Sequence, residues 1–195
     1  MTLTDKHIVY ENDCRQMFIG ETILGVIYGE INYYNLDEEN IIISPEPFYK
    51  TKYSDIDSLD YSIYFKTNNK TIYVFWDSTF FSYGLLSEEI DLKEITNDYE
   101  QKWDVTNDGK WSKIIGEKII DFKIIWEEVY TSNMDGTNRI YFLYPQIFQL
   151  KMENEMIIIL SASEFKTPEQ NEIYGMSDNL LVTTNFDLAK ELKMI

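Results

Sequence analysis

The 195 residues carry 34 Asp and Glu against 17 Lys and Arg with a single His, a formal charge of −17. Phosphates are neutralised by Lys and Arg and base edges are read by arginine forks, so this balance excludes an ordinary nucleic-acid reader and disfavours an anionic membrane surface. One cysteine, Cys14, permits no internal disulfide and points to a reducing compartment, the cytoplasm by expectation, while fifteen Tyr, eleven Phe and four Trp supply a packed core rather than a disordered chain.

At this length one domain over residues 1–195 is expected. The start, Met1 to Tyr10, has neither the basic residues nor the apolar run of a leader, and the longest clean apolar run, Met156 to Leu160, is too short to span a bilayer. Gly20-Glu21-Thr22-Ile23-Leu24 then opens a strand-like stretch rich in β-branched and aromatic residues, and Gly116-Glu117-Lys118-Ile119-Ile120 echoes it. Downstream of each start a hairpin is predicted. The first pairs Tyr61–Lys66 with Thr71–Trp76 around Asn68-Asn69, and the second pairs Gln146–Met152 with Met156–Ser161 around Glu153-Asn154. Setting Ile63 on Phe148 also sets Phe65 on Leu150, Ile72 on Ile157, Val74 on Ile159, Phe75 on Leu160 and Phe80 on Phe165.

The expected fold is therefore α+β and β-rich, two related antiparallel β-units spanning roughly 17–97 and 113–195 and closed by a C-terminal helix. That helix has Asn185 as N-cap, Asp187 in its first turn, Leu188 and Leu192 on its apolar stripe and Lys190 and Lys193 towards its end. A second helix is predicted from near Ser87, burying Ile90 and Ile95, and Asn107-Asp108-Gly109 and Asp135-Gly136 read as turns. From the start to the hairpin the first copy is the longer, 43 residues from Gly20 to Ile63 against 32 from Gly116 to Phe148, which locates an insertion between Tyr34 and Asp60.

No motif for catalysis or a cofactor is present. His7 and Cys14 are too few for a Cys/His zinc site, there is no Gly-x-Ser-x-Gly elbow, and the glycines form neither a P-loop nor a dinucleotide fingerprint. Asp104-Val-Thr106-Asn-Asp108-Gly109 opens like a calcium loop, but Ile115 stands where a bidentate Glu is required, so it reads as a turn. No catalytic residue, metal or cofactor is assigned. The inserted segment carries the candidate site: Phe48, Tyr49, Tyr53, Asp55, Asp57, Asp60 and Tyr61 combine large amphipathic rings with carboxylates, the composition of a protein contact surface.

Tyr144-Pro145-Gln146, then Ile159-Leu160-Ser161-Ala162-Ser163-Glu164, then Asp178-Asn179-Leu180-Leu181-Val182-Thr183-Thr184-Asn185 resemble stretches of small acidic bacterial proteins, some of which are similar to immunity proteins of contact-dependent toxin systems. The resemblance covers about a third of the chain. It implies binding and inactivation of a cognate toxin, and an acidic surface steers onto such a basic partner. Two readings stand beside it. Trp76-Asp77 and Trp126-Glu127-Glu128 would suit a carboxylate-based, glycosidase-like hydrolase, and spaced acids would suit a DNA mimic or an accessory domain.

Overall fold

The computed structural model describes residues 2–31, 49–91, 100–167 and 171–195. Helix α1 (Asp5–Phe18) leads into strand β1 (Ile23–Ile31), followed by β2 (Ile56–Leu59), β3 (Ser62–Thr67), β4 (Thr71–Asp77), β5 (Gly84–Ile90) and β6 (Glu100–Asp104). A 3-10 turn at Gly109–Trp111 precedes β7 (Ile119–Thr131), β8 (Ile140–Met152), β9 (Ile157–Phe165), β10 (Ile173–Thr183) and helix α2 (Phe186–Glu191). The described strands make two five-stranded antiparallel sheets, ordered β5-β4-β3-β1-β6 and β2-β10-β9-β8-β7. Among the described residues no helix is long and apolar enough to cross a membrane.

The two sheets face each other across one core. Val26, Tyr28, Ile63, Phe65, Ile72 and Val74 point inward from the first, and Phe122, Phe148, Leu150, Ile158, Leu160 and Val182 from the second. On the outer side of the second sheet, Ile56, Ile147, Ile159 and Leu181 meet Ala189, Leu192 and Met194 under α2. Strand β9 is thus covered on both faces, which is why Ile157–Leu160 is continuously aliphatic instead of alternating.

The pseudo-repeat appears in the hydrogen bonds themselves. Gly20 N donates to Ile119 O (2.9 Å) and Gly116 N to Ile23 O (2.8 Å), while Ile23 N donates to Glu117 O (3.1 Å) and Ile119 N to Glu21 O (2.9 Å). Each bond maps onto its partner when residues 96 apart are exchanged, so the two starts clasp each other about a local two-fold at the Thr22↔Lys118 bridge. Both clasp glycines have positive φ, 94° at Gly20 and 89° at Gly116, where a Cβ would be strained. The first ladders match too. Ile23↔Thr67 and Val26↔Phe65 correspond to Ile119↔Met152 and Phe122↔Leu150, with the irregularity after the first residue in both.

Three expectations need correction. The second hairpin has one residue more in its turn: Thr67 N donates to Lys70 O, but Met152 N donates to Met156 O, with Glu155 at φ 67°. Ile72 therefore matches Ile158 and Val74 matches Leu160, since Phe65↔Ile72 and Leu150↔Ile158 are the equivalent pairs, and Phe80 falls beyond β4 while Phe165 ends β9. An unbroken aliphatic run carries no parity, so sequence matching could not detect the slip. The helix expected at Ser87 is strand: Ser87 pairs with Val74 and Ile90 with Thr71, because β4 offers an edge that Leu85 can join by burying its side chain; Ile95 lies outside the described residues. Finally, β8 begins at Ile140, six residues before the expected Gln146, and runs straight through Pro145.

Helix α1 was not anticipated. Thr4 caps it, but the residue three positions on is His7 rather than Glu or Gln: Thr4 N donates to His7 Nδ1 (3.0 Å), and Thr4 Oγ1 lies 2.6 Å from the same nitrogen. Cys14 and Phe18 anchor it on the core, Cys14 Sγ lying 3.3 Å from Ser87 Oγ.

Candidate functional site

The insertion leaves its own half. Strand β2 lies between β1 and β3 in the chain yet pairs with β10 of the other sheet, Ile56↔Thr183 through Leu59↔Leu180. The preceding residues fold back on it, with Lys50↔Asp57 bridged and Ser58 N donating to Tyr49 O (2.8 Å). Thr51 closes the turn: its hydroxyl accepts from Tyr53 N (3.1 Å) and donates to Ile56 O (2.8 Å). Where this loop meets the 3-10 turn there is a cleft of about 580 Å³, lined by Tyr49, Tyr53, Asp55, Asp57, Asp108 and Lys110 among others.

The predicted residues divide into three groups. Tyr49 and Asp57 are buried, 6% and 4% exposed. The Tyr49 ring meets Tyr28 edge-on at 4.9 Å. Asp57 accepts from Tyr28 OH (2.8 Å) and pairs with Lys110, while Trp111 Nε1 donates to Tyr28 OH (3.2 Å), so a buried chain of polar contacts pins the insertion to β1 and to the 3-10 turn between the two halves. Burial pushes the Asp57 carboxyl up, against the opposing pull of Lys110 and Tyr28. The Tyr49 phenol is pushed up to about 12 by burial and then by the neighbouring Asp108, Asp57 and Glu30.

Tyr53 and Asp55 remain on the cleft rim. Tyr53 stacks on Phe165 at 5.6 Å and donates its hydroxyl to Asn171 Oδ1 (2.6 Å). Asp55 accepts from Asn185 Nδ2 (2.8 Å), and Asn185, the expected N-cap of α2, accepts from Leu188 N (3.1 Å). Asp60 and Tyr61 lie on the first sheet's side. The Asp60 carbonyl accepts from Trp76 Nε1 (2.8 Å), burial followed by Asp178 raises its carboxyl pKa, and the Tyr61 ring meets Trp76 at 5.2 Å. Phe48 lies outside the described residues. The three carboxylates of the insertion point to three different neighbours rather than to one another.

The Trp-carboxylate pairs do not converge either. Asp77 caps its own turn by accepting from Thr79 N (2.5 Å). Trp126 donates to Glu11 (3.2 Å) and packs on His7 and Phe80, while Glu127 lines a separate cavity.

A second surface was not anticipated. Among the described residues, from Trp126↔Pro145 to Thr131↔Ile140 strands β7 and β8 pair only with each other, since β9 accompanies β8 over Ile147–Lys151 alone. This two-stranded arm bears Tyr130, Met134, Ile140 and Tyr141, all exposed, with the Arg139 guanidinium 4.5 Å from the centre of the Tyr130 ring. Its acids are Glu127, Glu128 and Asp135. Arg15 Nη1 donates to Phe122 O and Trp126 donates to Glu11, so α1 covers the arm's root and not its end. The available signal was the Tyr130 and Tyr141 pair flanking Asp135-Gly136, hidden because Pro145 reads as a strand break. No family model, curated protein or solved structure matches this chain.

Proposed function

We propose that this protein is a non-catalytic inhibitor that binds and neutralises a basic protein, in the manner of an immunity protein acting on a bacterial toxin or effector. The observation that carries the reading is the arm, on which Tyr130, Met134, Ile140 and Tyr141 stand exposed on a ribbon that has no third strand among the described residues. Two-stranded hairpins are marginal alone in water, and exposed aromatic and aliphatic side chains on a projecting element are the composition of a protein contact surface. Three acids against Arg139, on a chain of charge −17, select a basic partner over a second copy of an equally acidic chain. Tyr53 and Asp55 on the cleft rim are the members of the inserted segment best presented as additional contacts.

The test is capture from host lysate after nuclease treatment, comparing the native chain with the triple variant Tyr130→Ser, Ile140→Ser, Tyr141→Ser and with Asp55→Lys. The expected result is one stoichiometric basic protein, weakened by salt and lost with the arm variant. A partner retained equally by all three chains, or one insensitive to salt, would sink the reading.

A further inference from the structure

Strands β8 and β9 run paired from Lys151↔Ile157 to Ile147↔Ser161 and then part. Two irregularities meet where they part. In β8, Gln146 is the extra residue between Ile125↔Ile147 and Trp126↔Pro145, which turns its side chain into the gap. In β10 the ladder shifts between Gly175 and Leu180, and Met176 has φ 55°. A Cβ at Gly175 would lie 2.9 Å from Gln146 Oε1, so any larger residue there would push the Gln146 amide out of the gap.

The gap encloses a cavity of about 230 Å³ whose lining includes Glu127, Ser161, Ser163, Ile173, Lys193 and Met194. Gln146 is fully engaged: Oε1 accepts from Tyr144 OH and Met176 N (3.0 Å), and Nε2 donates to Ser161 Oγ (3.0 Å) and Ala162 O (2.7 Å). The two serines are not. Ser161 and Ser163, each 1% exposed, share a single hydroxyl–hydroxyl bond (2.9 Å), so one of their two protons has no acceptor among the described residues. A buried donor beside open space suits a ligand acceptor. Glu127 and Lys193, both exposed, supply opposite charges to the same cavity, and Ile173 and Met194 supply an apolar wall.

We propose that this cavity binds a free aliphatic α-amino acid. Its carboxylate meets Lys193 and the spare serine hydroxyl, its ammonium meets Glu127, and its side chain lies against Ile173 and Met194. The volume holds about seven or eight waters at about 30 Å³ each, the size of a small aliphatic amino acid. A neutral sugar would leave both charges unanswered, and a lone anion or amine would answer one. The site shares Glu127 with the arm's acids, but its ligand test needs no protein partner, so neither reading stands or falls with the other.

The experiment is a thermal-shift screen of the purified full chain against the common amino acids, with acetate and methylamine as single-charge controls, followed by calorimetry. At about 10 mM ligand and a Kd of about 100 µM, Tm should rise by about 5–10 °C for Val, Leu or Ile and by less than about 1 °C for either control. Glu127→Gln, on an exposed side chain that leaves folding intact, should weaken binding at least about tenfold, and Ser163→Ala should weaken it as well. The proposal is overturned if no amino acid shifts Tm, if acetate or methylamine shifts it equally, or if Glu127→Gln binds with unchanged affinity.

Discussion

Replacing Lys110 by Met strips the ammonium from a carboxylate that is 4% exposed. Asp57 then keeps only the Tyr28 hydroxyl, and it must either stay ionised in a dry site or take up a proton. Removing one partner of a buried pair costs about 3–5 kcal/mol while the other stays charged. Protonation is the escape, so the cost depends on pH. The native Asp57 carboxyl is already raised by burial, which means its contribution to stability is present below the ordinary carboxylate range and is lost as pH rises through the native value. Lys110→Met moves that value further up, and each unit costs about 1.4 kcal/mol at pH above it and nothing below. A loss of about 3 kcal/mol is expected at alkaline pH, where Asp57 is ionised, a Tm decrease of about 6–12 °C for a chain of this size, and a smaller loss at a pH within the ordinary carboxylate range. The double variant Asp57→Leu, Lys110→Met removes both charges and should recover most of the loss near neutrality. Urea unfolding followed by tryptophan fluorescence at the two pH values is the assay. Equal losses at both pH values, or a double variant no better than the single one, would refute the account of a buried pair holding the insertion in place.

Further outcomes follow from other parts of the molecule. Gly20→Ala and Gly116→Ala should each cost about 1 kcal/mol from positive φ alone, since neither site has an atom within 4 Å of the added Cβ, and near-equal losses in thermal unfolding would support the two-fold clasp. Gln146→Leu strips the bonds to Met176 N and Ala162 O from a buried bulge and should cost about 2–4 kcal/mol, measured by denaturant titration. Glu100, raised by burial beneath Ser62 and Tyr64, and Asp60, raised by burial and Asp178, share the sign of Asp57. These three groups should therefore stabilise the protein increasingly as pH falls from neutrality into the ordinary carboxylate range, and a Tm that only falls over that range would contradict these directions.

Local pattern made much of the fold legible. The hairpin of β3 and β4, the inward face of β8, the Asn185 cap and the repeat of the two glycine starts all rest on contacts between neighbours in the chain or on period-two burial. The failures lie where that pattern is silent. Ser87-Glu88-Glu89 suits a helix start as well as it suits an edge strand, and only β4 beside it decides the matter. His7 substitutes for the Glu of a capping box and hid α1. Within the candidate site, the insertion was identified from its length and its rings, but not that Tyr49 and Asp57 are buried at the base of the cleft while Tyr53 and Asp55 stand on its rim.

The sequence by itself determined a β-rich chain of two related units, its acidic character and the segment in which the units differ, because composition, turn chemistry and alternation are properties of residues and their near neighbours. Tertiary structure alone decided that β2 crosses to the other sheet, that Lys110 meets Asp57 across 53 residues, that β9 sits one register step from its apparent match, and that β7 and β8 outrun their neighbours to form an arm. Those outcomes depend on which edges are open and which faces are covered once both sheets exist. No local window of residues contains that information.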